Sequence, residues 1–179
     1  MTEDDHAPGL STQLRDLLDS WTLTPAFVRD RHLTVIGSNP LARSVSPSFE
    51  PGVNLARFTF LDRSVAHDNP DDWREIAREV AAMLRDSLEQ HEADARFQRI
   101  VGELAATSAV FADAWADDGH RMRQAAAFTF QNERVGPMRL AYQQLRIPED
   151  YESMLVVWTP VGEPSRERLA RLAELVAGG

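Results

Sequence analysis

The side chains able to do bond chemistry in this 179-residue chain are sparse and scattered. It has no cysteine, which removes disulfides, thiolate metal sites and a thiol nucleophile together. The five histidines are His6, His32, His67, His91 and His120, and no two of them stand at the i,i+4 spacing of a helical metal site, so no divalent-metal centre is expected. A single histidine is enough to ligate haem, yet a lone histidine is more often a surface or structural residue. No G-x-S-x-G elbow, Walker loop or G-x-G-x-x-G is present. Two carboxylate pairs, Asp71/Asp72 and Asp117/Asp118, fall where a helix begins and ends, and acids at a helix N-terminus are explained by its dipole. The run "RERLAR" interleaves Arg166 and Arg168 with Glu167, as a solvated helix face does. These patterns point away from an enzyme and away from a tightly held cofactor.

One hydroxyl stands out. In "IVGELAATSAVFADAW" a single helical stripe collects Ile100, Val101, Leu104, Phe111 and Trp115, and Ser108 falls inside it. The periodicity predicts one continuous helix lying across a sheet. On that reading Ser108 is a small residue whose hydroxyl bonds back to the carbonyl of Leu104. The alternative is a polar contact to a ligand inside a pocket.

The bulk composition bounds the function further. Twenty-eight acidic residues against nineteen basic ones give a net charge of -9, which opposes binding to a polyanion. No run approaches the roughly 20 apolar residues of a membrane span. The start "MTEDDHAPGL" lacks the basic and apolar regions of a signal peptide, so a cytoplasmic location is expected. Residues 1–10 read as an acidic, disordered tail and residues 11–179 as one domain.

The elements follow from period and punctuation. "STQLRDLLDSW" puts Leu14, Leu17, Leu18 and Trp21 on one stripe behind a Ser11/Thr12 cap, an amphipathic N-terminal helix. "AFVRDRHLTVIGSN" reads as strand, charged turn and strand, with a helical turn starting at Asn39-Pro40. "NLARFTFLD" fits a helix or a strand. In "NPDDWREIAREVAAMLRDSLEQ" Asn69 caps, Pro70 takes the first position, and Trp73, Ile76, Ala77, Val80, Leu84 and Leu88 share a face. Beyond Gly119 the period drops to two: "AAFTFQ", "GPMRLAYQQL" and "SMLVVWTP" are three strands, the last two joined across "RIPEDYE". A closing helix has Ser165 as cap and Leu169, Leu172 and Val176 on its stripe.

Two early and three late strands around a helical block predict an α+β fold. It is a PAS-like five-stranded antiparallel sheet covered by central helices, with flanking N- and C-terminal helices. Such a sandwich commonly holds its ligand between sheet and helices. Large apolar residues concentrate on the facing surfaces. Trp73, Phe97, Phe111 and Trp115 come from helices, and Phe128, Phe130, Tyr142 and Trp158 from strands. An elongated cavity between Trp115 and Phe128 is therefore expected, with Val80, Leu84, Leu104 and Leu140 completing its apolar wall.

The order of motifs resembles a known family. "NLARFTFLD", then "DDW", "IA" and "LR", then "IVGEL" with Ser108, Phe111 and Trp115, then "RVGPMRLAYQQL" and "GEPS", is similar to the MmyB-like ligand-binding domain from about Thr12 to Ala177. Ser38 stands where the family carries tryptophan before the asparagine here numbered 39, and Asn132-Glu133 replace its His-Pro. The resemblance implies the sensor of a transcription regulator that holds a fatty acid or similar apolar molecule. DNA would be read through a helix-turn-helix domain of the XRE type, which is expected to lie outside this chain. Ten buried methylenes give about 8 kcal/mol against a low estimate of about 4 kcal/mol for lost freedom, so an apolar chain binds with little polar help. For a carboxylate head, Arg57 in the matching motif is the first candidate beside Phe58, because its fork fits two oxygens. The competing reading of Arg57 is an ion pair with Glu103 or Asp72. The competing reading of the whole is a ligand-free dimerisation or partner-binding module, a homodimer paired through Leu14, Leu18, Leu169 and Leu172.

Overall fold

The structure, a computed structural model, describes residues 10–62, 72–91, 94–117, 119–123, 125–148 and 150–178. The acidic tail up to residue 9, His6, His67, the expected cap Asn69 with Pro70 and Asp71, and Asp118 lie outside them.

Helix α1 (Thr12–Ser20) starts where Ser11 Oγ accepts from the Leu14 N–H at 3.3 Å. Strands β1 (Ala26–Asp30) and β2 (Val35–Ser38) pair antiparallel across a tight turn. There Asp30 Oδ1 accepts from the backbone N–H groups of His32 and Thr34 at 2.9 and 2.8 Å. Those bonds hold Leu33 at φ 65, a conformation a branched side chain rarely adopts, with its side chain fully buried. Asn39 caps α2 (Pro40–Val45), its Oδ1 accepting from Ala42 and Ala26 N–H groups. A single 3-10 turn (Pro47–Phe49) follows, and the ambiguous "LARFTFL" is helix α3 (Leu55–Leu61), capped by Asn54.

Helix α4 (Trp73–Gln90) has Asp72 at its N-terminus without a side-chain cap bond. The Asp72 carboxylate instead accepts from the Thr129 N–H at 2.7 Å and ties the helix to the sheet. The long helix expected around Ser108 is two: α5 (Ala95–Thr107) and α6 (Ala109–Ala116). Strands β3 (Ala125–Phe130), β4 (Met138–Ile147) and β5 (Asp150–Pro160) form a meander, with β4 and β5 running deeper into "RIPEDYE" than the proline suggested. Helix α7 (Glu163–Ala177) begins at Gly162, whose φ of 79 suits glycine. Ser165 is therefore inside α7 and not its cap; its hydroxyl accepts from the Arg139 N–H at 3.0 Å.

The sheet order is β2-β1-β5-β4-β3, every pair antiparallel, with the helical block inserted between β2 and β3, a PAS-like arrangement. Alternation sorts the side chains. Phe27, Phe128, Tyr142, Val156 and Trp158 face inward and pack with Leu41 and Phe49, and with Leu169, Leu172 and Ala173 of α7. Ala26, Val28 and Leu155 face outward under Leu18 and Trp21 from α1 and the residue after it. A second cluster, Leu84, Phe97, Ile100, Leu104 and Phe111, lies between helices α3, α4, α5 and α6. Thus α5 and α6 form a layer behind α4, not the layer on the sheet. The reason is α4 itself, which buries two faces: Ile76 and Met83 reach both clusters.

Candidate ligand-binding site

Between the inner face of the sheet and the elements α3, α4 and the 3-10 turn lies a cavity of about 150 Å³. Its walls come from Phe27, Phe128, Phe130 and Trp158 on the sheet side, and from Phe49, Phe58, Ile76, Val80 and Met83 opposite. One end is aromatic. Phe49 stacks on Phe27 at 4.7 Å and sits 5.5 Å from Trp158, and Phe130 meets Trp158 edge-on at 5.0 Å. The Trp158 Nε1 donor is buried there without a partner among the described residues.

The other end is polar and carries two buried charges, Arg29 and Glu79. Glu79, fully buried on α4, is saturated with donors. Its Oε1 accepts from the Tyr142 hydroxyl at 2.6 Å and the Arg123 N–H at 2.8 Å. Its Oε2 lies 3.2 Å from both Arg123 Nε and His120 Nε2. Burial first, then the bond to this carboxylate, raises the Tyr142 phenol well above its ordinary value, so the hydroxyl keeps its proton. Arg29 is 4 % exposed and touches no carboxylate among the described residues. Its Nη2 donates to Gln144 Oε1 at 2.7 Å and its Nη1 to the Asp30 carbonyl at 3.3 Å, while Nε has no partner. Burial lowers the guanidinium to about 10, opposed by the charges of Asp30 and Asp86.

The sequence-expected residues divide. Phe58, Val80, Phe128, Phe130 and Tyr142 line the cavity. Leu140 is buried in the same sheet core but does not line it. Leu84, Leu104, Phe111 and Trp115 belong to the helical cluster, Trp115 stacked on Phe111 at 5.4 Å with the Arg85 guanidinium over its ring. Trp73 meets the edge of Phe60. The cavity therefore lies one layer away from the Trp115 position expected for it. Arg57 is on the surface, its Nε and Nη2 donating to Glu103 Oε2 at 2.9 and 2.6 Å, so the ion pair accounts for it.

Sequence reasoning missed Arg29, Glu79, Gln144 and Phe49. Three of them had a signal: Arg29 shares a strand face with Phe27, Gln144 shares one with Tyr142, and Glu79 falls between Ile76 and Met83 on α4. Phe49 sits in a Pro- and Gly-rich loop, where no period marks it. Ser108 also moves. It ends α5 and caps α6, its hydroxyl accepting from the Phe111 N–H at 3.2 Å, while its own N–H donates to the Leu104 carbonyl at 2.9 Å. The hydroxyl bond to Leu104 is thus replaced by a cap, and a ligand contact is not its geometry. None of the described histidines lines the cavity, and no cluster of three or more metal-ligating side chains occurs among the described residues. No described helix is long and apolar enough to cross a membrane.

No curated protein matches the chain. Among solved structures, the PAS domain of BvgS from Bordetella pertussis is similar at 12% identity and a TM-score of 0.35, covering 93% of this chain and 96% of that one. The model of the MmyB-like transcription regulator ligand binding domain matches residues 10–172. The chain therefore belongs to the MmyB-like ligand-binding domain family of transcription regulators.

Proposed function

We propose that this domain senses an apolar small molecule, a fatty acid or similar compound, held between the sheet and helices α3 and α4. The observation that carries this reading is the interior cavity walled by Phe27, Phe49, Val80, Met83 and Trp158. At about 150 Å³ it takes a benzene-sized group as it stands. A longer acyl chain enters if the 3-10 turn and α3 move outward, since these short elements close the cavity.

The readout runs through β1 and β5. Their inner side chains Phe27, Val156 and Trp158 wall the cavity, and their outer side chains Ala26, Val28 and Leu155 carry Leu18 of α1. A ligand that shifts these strands biases the seat of α1, and any effect on DNA belongs to a separate DNA-reading domain. Of the residues offered for a dimer, Leu18, Leu169 and Leu172 are buried in the chain's own cores and Leu14 is half-buried.

Native mass spectrometry of the purified domain tests the reading, with Val80→Phe as the filled-cavity variant. A bound apolar molecule, or one loaded from a fatty-acid and aromatic panel, is expected in the parent and lost in the variant. A parent that takes nothing up, or a variant that binds equally well, overturns it.

A further inference from the structure

We infer that Arg29 is the anchor of the site and that the ligand class is a compact carboxylic acid, its anionic end against the Arg29 guanidinium beside Gln144 and its apolar body toward Phe27, Phe49 and Trp158. This rests on the cavity reading above and adds to it the chemical class of the ligand.

A buried guanidinium needs an anion, or at least a full set of acceptors, because desolvation without pairing is costly. Arg29 has two neutral acceptors and an Nε with none. The nearest acids are already engaged. Asp30 accepts from His32 and Thr34 N–H groups and faces Arg96 at 3.3 Å, and Asp86 accepts from Gln90 Nε2. Of the two hollows that Arg29 lines, the cavity is the one walled mainly by apolar side chains. The other, which Gln144 also walls, is polar and mixed in charge, with Asp86, Asp150 and Glu152 beside Arg31 and Arg146. In the apolar cavity the lining carboxylate is Glu79, whose charge is met by Arg123 and by three further donors or polar contacts. The fork of an arginine fits two carboxylate oxygens, and Arg29, which lines the cavity, has an Nε donor left without a partner.

Size sets the rest of the class. About 150 Å³ admits a ring or a short chain without rearrangement. The aromatic end offers flat faces and edges for it, with ring centroids 4.7 to 5.7 Å apart.

Calorimetric titration at pH 7 with matched pairs, phenylacetate with phenylacetamide and hexanoate with hexanamide, reads the charge preference directly. In the parent the acid is expected to bind roughly tenfold to a hundredfold more tightly than its amide, the range for a hydrogen bond to a charged group. Arg29→Met erases that preference and Arg29→Lys keeps most of it. Unfolding of the ligand-free proteins is the second readout. Losing a buried, unpaired charge leaves Arg29→Met as stable as the parent or more so. If Arg29→Met does not fold, the acid-over-amide comparison in the parent together with Arg29→Lys decides. Equal binding of acid and amide, or a preference that survives Arg29→Met, overturns the anchor and leaves the cavity reading standing. Failure of every acid and every amide to bind overturns the cavity reading and the anchor with it.

Discussion

At the scale of single residues, the charges of this domain are held in three different ways. Glu79 is buried and saturated, Arg29 is buried and short of acceptors, and Asp94 is half-exposed but densely paired. Asp94 caps α5 through the Phe97 N–H, contacts His32 Nε2 at 2.8 Å and pairs with Arg31. Burial acts to raise its carboxyl, but the Phe97 N–H, His32 and Arg31 outweigh it and hold the group at about 2. The unfolded carboxyl titrates near ~3.9, so its folded value is depressed. The stability it contributes is then fully present above about pH 4 and lost as the pH falls through about 2. Denaturant melts of the parent and Asp94→Asn from pH 6 downward should show the parent's advantage shrinking in that window. An advantage that is independent of pH contradicts the assignment. The residue scale was also where the sequence was least legible. A strand "AFVRD" gives Arg29 the same face as Phe27, yet composition makes arginine a surface residue by default, and only burial with an idle Nε reveals otherwise.

At the scale of elements, alternation made the three late strands readable, because a half-buried strand must repeat every two residues. Tyr142 and Trp158 land on the same face, and the register pairs them directly across β4 and β5. The break at Ser108 was not readable. The apolar stripe continues through it, since α5 and α6 both bury residues in the same helical cluster, and a cap serine looks like an interior serine in a one-dimensional pattern. Its contribution is measurable. Ser108→Ala removes the acceptor for the Phe111 N–H and should cost about 0.5–2 kcal/mol in equilibrium unfolding. Ser108→Asp, which keeps an acceptor at the helix N-terminus, should lose much less. Equal losses in the two variants would show that the hydroxyl matters through packing and not through the cap.

At the scale of the whole molecule, one sheet serves two compartments. Its inner face walls the cavity and packs α7, its outer face seats α1, and β1 and β5 carry side chains of both the cavity wall and the Leu18 cluster. Close packing makes such a sheet a stiff partition, and a shift on one side is felt on the other. Ligand binding should therefore change the hydrogen-exchange protection of α1 (Thr12–Ser20), which contributes no residue to the cavity lining. It should also raise the melting temperature by several degrees at a hundredfold excess over Kd, since that excess adds about 2.7 kcal/mol to the folded state. The two readouts separate binding from signalling. A ligand that raises the melting temperature but leaves α1 exchange unchanged has equal affinity for both seats of α1 and cannot act as a signal through it. Leu18→Ala provides the control. It weakens the seat of α1 on Val28 and Leu155, so the ligand-dependent change in α1 exchange should collapse while the affinity of the cavity stays close to that of the parent.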